Sequence, residues 1–277
     1  MPRSFRPFRD RRPGQSLHRK RSEAHASTGR YDAAADGPLE FPSLVLGTPF
    51  TFDAGMAARL LRREVNTKEA FSVRDAAGVF FRASLKQLSD HGGTAIPYER
   101  FAVSPEPTVE ITLACAVLAR QRMLFVAQKA TEMGVTRIVP LLTEQSVPAH
   151  GLEHEKAHAW PGQIIRAAKQ CRRSSLPELQ VPTSLDTFLA SPSATEAEFC
   201  LCLDNAGVRM PTPANDPRKI VLLVGPEGGF SDAERSKLAG KTHSCLLGGR
   251  ILRAETAVLV GLAVVQLSWG DFRSAMT

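Results

Sequence analysis

The 277-residue chain has no long apolar run. Its most apolar stretch, Ala257 to Leu267, falls well short of the roughly 20 residues that a membrane-spanning helix needs, so neither a transmembrane segment nor a membrane partner is expected. It also lacks the even, closely spaced cysteines of a disulfide scaffold. The five present, Cys115, Cys171, Cys200, Cys202 and Cys245, are scattered through apolar surroundings and point to a reducing compartment. Cys200 and Cys202 share a face of a predicted strand, but no second pair completes a zinc ribbon, so they are read as core thiols. His150, His154 and His158 fall at helical spacing beside Glu153 and Glu155, and are read as a solvated polar face. No metal is expected.

Acids are scarce at the start of the chain. Residues 1–30 hold nine Lys or Arg against Asp10 and Glu23, leaving 26 charges of each sign elsewhere, so the net charge of +7 resides in this segment. With several prolines and almost no aliphatic side chains, it cannot bury enough surface to offset its ordering entropy. A disordered basic tail is expected over residues 1–38. Three readings of it stay open: an arm that attracts RNA phosphates, an organellar transit peptide against which its prolines argue, and an extension without function. It has no apolar core of a secretory signal.

After a small-residue and acidic linker from Tyr31 to Gly37, short alternating runs begin. "AFSVRD", a turn at Ala76–Gly78 and "VFFRASL" predict a β-hairpin with arms Val73–Asp75 and Val79–Leu85, inside a compact β-rich domain. From Val109 the pattern changes to strands alternating with helices. "VEITLACAV" and "RIVPLL" are buried strands around a helix with Met123, Leu124, Ala127, Ala130 and Met133 on one face, ending at Gly134. Such a unit implies a parallel sheet covered by helices. A helix near Gln163–Arg172, strands "EFCLCL" and "KIVLLV", and a last helix from about Glu255 to Trp269 follow. That helix is apolar nearly all round, which predicts burial.

Two glycine loops stand out. "LVGPEGGFSDAE" runs from a strand through Gly225, Pro226, Glu227, Gly228 and Gly229 to a capping box of Ser231 and Glu234. It lacks the Lys-Ser/Thr ending of a phosphate loop and the G-x-G-x-x-G spacing of a dinucleotide site. "LGGRILRAET" repeats the pattern of strand, double glycine and helix. In a parallel sheet, loops after strand ends gather at one edge and form the ligand crevice.

Four strings, "QKATEMGVTRIVPL", "AKQCRRSSLPE", "LVGPEGGFS" and "LGGRILRAETA", resemble in order and spacing the ribosomal-RNA uridine N3-methyltransferases of the SPOUT superfamily, over Thr108 to Asp271. The resemblance implies an α/β fold, a SPOUT-type parallel sheet with a C-terminal trefoil knot in residues 106–277, a PUA-like β-barrel that docks RNA in residues 39–105, and a homodimer. It places S-adenosylmethionine on three loops. Leu203 and Asp204 follow one strand, Gly225–Gly229 form the second loop, and Leu247, Gly248, Arg250, Ile251 and Leu252 form the third, with Thr256 just beyond. Arg253 and Glu255 match the family's R-x-E-T element, and Gln170 and Arg173 its Q-C-x-R element. In the N-terminal part the chain departs from the pattern, with Met56 or Ala57 for a histidine and Thr67-Lys68 for a Gly-Asp turn.

The chemistry asks for few protein groups. A sulfonium methyl is already electrophilic, whereas uracil N3 carries a proton and needs an anion-like state. Arg253 is expected to stabilise the charge developing on the base, Arg173 to serve as a second cation or RNA contact, and a carboxylate or water to accept the proton; Glu255 is the candidate carboxylate, although a Glu in the first turn of a helix also suits its dipole without a catalytic role. Arg166, Lys169, Arg172 and Arg173, with Gln170, are expected to form a stripe along one helix for small-subunit ribosomal RNA, although cations near a helix C-terminus also stabilise it without a partner. A ribose 2′-O-methyltransferase and a non-catalytic ribosome-assembly factor are the alternatives. The expected location is the cytoplasm, or else a mitochondrion or plastid. Deleting residues 1–30 is expected to weaken RNA binding at low salt, the difference vanishing as salt rises; equal low-salt affinity in a salt titration would refute the arm.

Overall fold

The computed structural model describes residues 34, 36–208, 211, 213 and 215–274, with only the backbone of Arg120 and Ser274. The expected tail lies outside the described residues as far as position 33. The first half comprises β1 (Glu40–Phe41), β2 (Phe50–Asp53), α1 (Ala54–Arg62), β3 (Ala70–Asp75), β4 (Phe80–Ser89) and β5 (Gly92–Arg100). The strands form one sheet in the order β1-β3-β4-β5-β2, antiparallel except for the β1–β3 pair.

The expected hairpin is β3 and β4, turned at Gly78 with φ of 82°, a conformation open to glycine at little cost. Its arms are longer than expected because β4 continues to Ser89 and pairs with β5. Glycines at positions 92 and 93 blur the alternation that would have shown β5. They are there for close approach: a Cβ on Gly93 would lie 2.6 Å from the Phe52 ring. Asp53 caps α1 by accepting from the Met56 amide at 2.9 Å, and α1 buries Met56, Ala57 and Leu60 in a core with Phe52, Phe71 and Val73.

The second half runs through β6 (Glu110–Ala116), α2 (Arg120–Glu132), β7 (Arg137–Leu142), α3 (Trp160–Gln170), β8 (Glu178–Leu179), β9 (Thr183–Ser184), α4 (Leu185–Leu189) and α5 (Pro192–Thr195). It ends with β10 (Phe199–Val208), β11 (Lys219–Val224), α6 (Asp232–Leu238), β12 (His243–Cys245), α7 (Ala254–Ser268) and α8 (Asp271–Ser274). Seven parallel strands make its sheet, in the order β12-β10-β11-β6-β7-β8 with β9 also on β7. Pro140 of β7 has no amide to donate, and the neighbouring strand is broken there: β8 pairs with Arg137 and Ile138, β9 with Leu141 and Leu142.

Apolar strand residues fill both faces of this sheet. One core joins Leu113, Leu201 and Leu222 to Met123, Val126, Trp160 and Val258, the other joins Val139, Val221 and Leu223 to Phe188 and Phe230. Cys202 lies in the second core and Cys200 packs against it, as core thiols should. Helix α2 ends as read, with Gly134 at φ of 79° and the Val135 amide donating to Ala130. The three histidines are all exposed, as a solvated polar face should be, on a segment of two 3-10 turns, Ala149–Gly151 and Ala157–Ala159, with His154 between them. One expectation is corrected. Helix α7 is not buried all round: Val258, Leu262 and Val265 face the core, while Val260 and Leu267 face outward.

The two halves meet at Asp36, which belongs to the segment read as linker and tail yet forms a β-bridge with Leu176. Its carboxylate accepts from Arg59 at 2.7 Å and from Arg63 at 2.8 Å. Arg63, only 5% exposed, also donates to the carbonyls of Asp36, Gly37 and Ser174. Beside it, Glu106 accepts from the Ser174 and Ser175 amides at 2.6 and 2.8 Å. Burial pushes the Asp36 carboxyl up, but hydrogen bonds and attraction from Arg63 and Arg59 outweigh it and hold the group below its ordinary value. A group depressed in the folded state stabilises above its unfolded pKa, so Asp36 contributes fully above about pH 4 and loses that contribution as pH falls through its native pKa. Asp36→Asn should therefore flatten the loss of stability below about pH 4. Arg63→Ala should cost about 3 kcal/mol in denaturant unfolding, as expected for removing one member of a buried pair.

Candidate functional site

The carboxyl ends of β10, β11 and β12 lie side by side, and the segments there enclose a cleft of about 320 Å³. The GPEGG loop forms one wall. Val224 ends its strand, the Gly229 amide donates to the Pro226 carbonyl at 2.9 Å, and Gly229 takes φ of 79°. Phe230 folds beneath, so close that a Cβ on Gly225 would lie 3.1 Å from its ring. The capping box then starts α6: Ser231 accepts from the Glu234 amide and Glu234 from the Ser231 amide. Buried Glu234 also accepts from the Glu144 amide at 2.9 Å, tying the loop to the segment after β7.

Leu203 and Asp204 were expected just after their strand. They lie within β10, which continues to Val208 because its pairing with β12 is interrupted: Leu203 and Val208 both register with Cys245. The residues between form a bulge, and a Cβ on Gly207 would lie 2.6 Å from the Cys245 backbone. Asp204 is fixed by the Ala206 amide and by Arg235 Nε, each donating at 2.9 Å, and its hydrogen bond and charge push the Arg235 guanidinium pKa upward. The third wall follows β12. Leu247, Arg250, Ile251 and Leu252 line the cleft, with Ile251 85% exposed at its lip.

Of the residues expected to hold a cofactor, Leu203, Asp204, Gly225, Pro226, Glu227, Gly228, Gly229, Leu247, Arg250, Ile251 and Leu252 line this one cleft. Gly248 and Thr256 do not. Gly248 supplies a turn at φ of 91°, and Thr256 points outward from the first turn of α7. Asn205, Phe230 and Arg235 line the cleft unforeseen. Their only signal was adjacency to a glycine loop or one helical turn from a cap. Arg253 is exposed at the N-cap of α7, between the lining residues Leu252 and Ala254. Glu255 is mostly buried; its Oε1 is 3.9 Å from Arg122 Nε, and its Oε2 has no hydrogen-bond partner among the described residues.

Arg173 stands elsewhere. It is 7% exposed and donates to the Val135 and Thr131 carbonyls at 2.8 and 3.2 Å, with Glu106 at 3.4 Å. These partners lie at the C-terminal end of α2, whereas Arg122 meets the cleft at its N-terminal end. A 13-residue helix is about 20 Å long, so Arg173 does not reach the cleft of its own chain. Nor do the cations form a stripe on one helix. Helix α3 stops at Gln170 in a Schellman turn: the Arg173 amide donates to Ala168 and the Arg172 amide to Lys169, with Arg172 at φ of 66°, where glycine is usual. Arg172 pairs with Glu99 of β5 and Lys169 with Glu69, while Arg166 and Gln170 are exposed.

Burial pushes the Cys115, Cys200 and Cys202 thiols up to about 12, so thiolate chemistry at neutral pH is excluded for them. Among the described residues no cluster of three or more His, Cys, Asp or Glu could hold a metal ion, and no helix is long and apolar enough to cross a membrane.

A model of the RNA methyltransferase domain matches residues 104–266. The chain is 32% identical to the ribosomal RNA small subunit methyltransferase E of Synechocystis over 206 residues, 71% of this chain and 65% of that protein. The chain belongs to the ribosomal RNA small subunit methyltransferase E family. Two solved structures resemble this family member along most of its length. The methyltransferase E of Neisseria gonorrhoeae bound to S-adenosyl methionine superposes with a TM-score of 0.60 at 28% identity, covering 85% of this chain and 99% of that one. A putative methyltransferase of Legionella pneumophila in complex with S-adenosyl methionine gives 0.61 at 29%, covering 84% and 98%. In this methyltransferase, Gly229→Ala should cost about 1–2 kcal/mol of backbone strain at the cleft and weaken cofactor binding about tenfold in calorimetry.

Proposed function

We propose that this chain transfers the methyl group of S-adenosylmethionine to N3 of a uridine in small-subunit ribosomal RNA. The observation that carries this reading is the convergence of three loops in one cleft at the carboxyl edge of a parallel sheet, in a chain of the methyltransferase E family. The cleft fits the cofactor. Leu203, Leu247, Ile251 and Leu252 offer apolar walls for an adenine ring, and the glycine loop presents backbone donors and acceptors without intervening side chains. The Asp204 and Glu227 carboxylates suit a ligand with a sulfonium and an ammonium group.

When bound, the cofactor supplies an electrophilic methyl. The protein supplies orientation and an anion-like N3. Arg253, at the cleft with no side-chain partner among the described residues, is placed to stabilise charge on a uracil oxygen. Glu255, one oxygen unpartnered, takes the N3 proton. Arg173 is assigned to the junction between the halves, and Arg166, Lys169, Gln170 and Arg172 to RNA contacts beside the first sheet.

The same reading assigns residues 39–105 to a PUA-like RNA-docking domain and 106–277 to a SPOUT domain with a C-terminal trefoil knot. In support of the knot, β12 joins the outer edge of the sheet beyond β10, yet α7 after it returns to pack on β11 and α2. A homodimer is supported by the outward apolar side chains Ile251, Val260 and Leu267 and by Phe125. Five free cysteines suit a reducing compartment, the cytoplasm or else a mitochondrion or plastid.

Undermethylated small subunits incubated with labelled cofactor should yield N3-methyluridine on nucleoside analysis; a ribose 2′-O-methyl product would overturn the reading. Arg253→Ala should lower turnover about 10²–10³-fold with cofactor affinity within about twofold of the original.

A further inference from the structure

At the rim of the cleft, one guanidinium faces two carboxylates. Arg122, in the first turn of α2, pairs through Nη1 with Glu227 Oε1 of the GPEGG loop, and its Nε lies 3.9 Å from Glu255 Oε1 in the first turn of α7. The position does nothing for the helix that carries it. The first turn of α2 has no acid, its N-cap Ala119 makes no side-chain cap, and Arg122 stands there instead. Cations at a helix N-terminus oppose its dipole. A residue that breaks a local rule without a local gain points to a role elsewhere; of its partners, Glu227 lines the cleft and Glu255 directly follows the lining residue Ala254.

We propose that Arg122 is a positioning residue that sorts the two carboxylates into different roles. This rests on the methyl-transfer reading. By direct pairing, Arg122 anchors Glu227 and so fixes the loop that shapes the cofactor cleft. Its remaining edge holds Glu255 by charge alone, too distant for a hydrogen bond, and leaves Glu255 Oε2 without a partner among the described residues. The Glu255 carboxylate, its side chain 16% exposed, accepts the proton of the target base: the N3–H bond breaks with its electron pair left on nitrogen, an O–H bond forms, and the proton passes on to solvent. Two carboxylates around one cation thereby acquire separate tasks because only one of them is tied down.

The test is the pattern across three variants of the full chain. Cofactor affinity is read by calorimetry without RNA, and kcat and KM are read with undermethylated small subunits. Glu227→Gln should weaken cofactor binding about fivefold or more while lowering kcat little at saturating cofactor. Glu255→Gln should lower kcat at least tenfold with cofactor affinity unchanged. Arg122→Met should do both and leave KM for the subunit within about twofold, and Arg122→Lys should recover most of each loss because the charge remains. The proposal is overturned if Arg122→Met leaves both quantities unchanged, if Glu227→Gln and Glu255→Gln give the same profile, or if Arg122→Lys is as impaired as Arg122→Met. Should the original chain methylate no uridine, the methyl-transfer reading fails by itself, and calorimetry of Glu227→Gln and Arg122→Met still decides whether Arg122 anchors the loop.

Discussion

Parallel hydrogen bonding of β10 to β11 on one side and β12 on the other is the constraint on which the site depends. Parallel strands all finish at the same edge of a sheet, so any three neighbours deliver three loops to one place. Here three strands that follow one another in the chain lie side by side with β10 in the middle, and the cleft arises between the segments that leave them. The interruption between Leu203 and Val208 adds to this by turning Asp204 against Arg235 within a strand that would otherwise run straight past the cleft.

A second constraint joins the two halves. Arg63, Asp36, Glu106 and Arg173 place several charges where little water reaches, and they are tolerable only because each meets opposite charge or carbonyl oxygen. The result is a junction of defined geometry rather than an apolar contact on which the halves could slide. Arg173 shows how strongly such a place claims a residue. Its guanidinium is spent on the Thr131 and Val135 carbonyls, and the same loop turns Arg172 out toward Glu99. The cations near this junction therefore lie about a helix length from the cofactor cleft.

Much of this was legible beforehand, for a reason that differs with the element. The strands around "EITLACA", "RIVPLL", "EFCLCL" and "KIVLLV" were visible because strands buried on both faces are continuous apolar runs. Helix ends were visible where chemistry is local: Gly134 after α2, and Ser231 with Glu234 before α6. The glycine loops betrayed themselves because few other demands put several glycines beside a proline at a strand end. Strand β5 was missed because its two leading glycines carry no alternation, and the spacing of the three histidines foretold their exposure but not their backbone, because i, i+4 spacing is satisfied by residues that never form a helix.

The sequence by itself determined which segments would be strands, helices and glycine turns, the family to which they point, and the loops that line the cleft. These properties are set within a few residues of one another, by apolar periodicity, capping and the conformational freedom of glycine. Only the tertiary structure decided what the charged side chains do. It sent Arg173 to a buried junction, brought Arg122 to Glu227 across more than a hundred residues, and left one oxygen of Glu255 without a partner among the described residues. The physical reason is that a charge answers to whatever lies within a few ångströms in space, and sequence spacing carries almost no record of that distance.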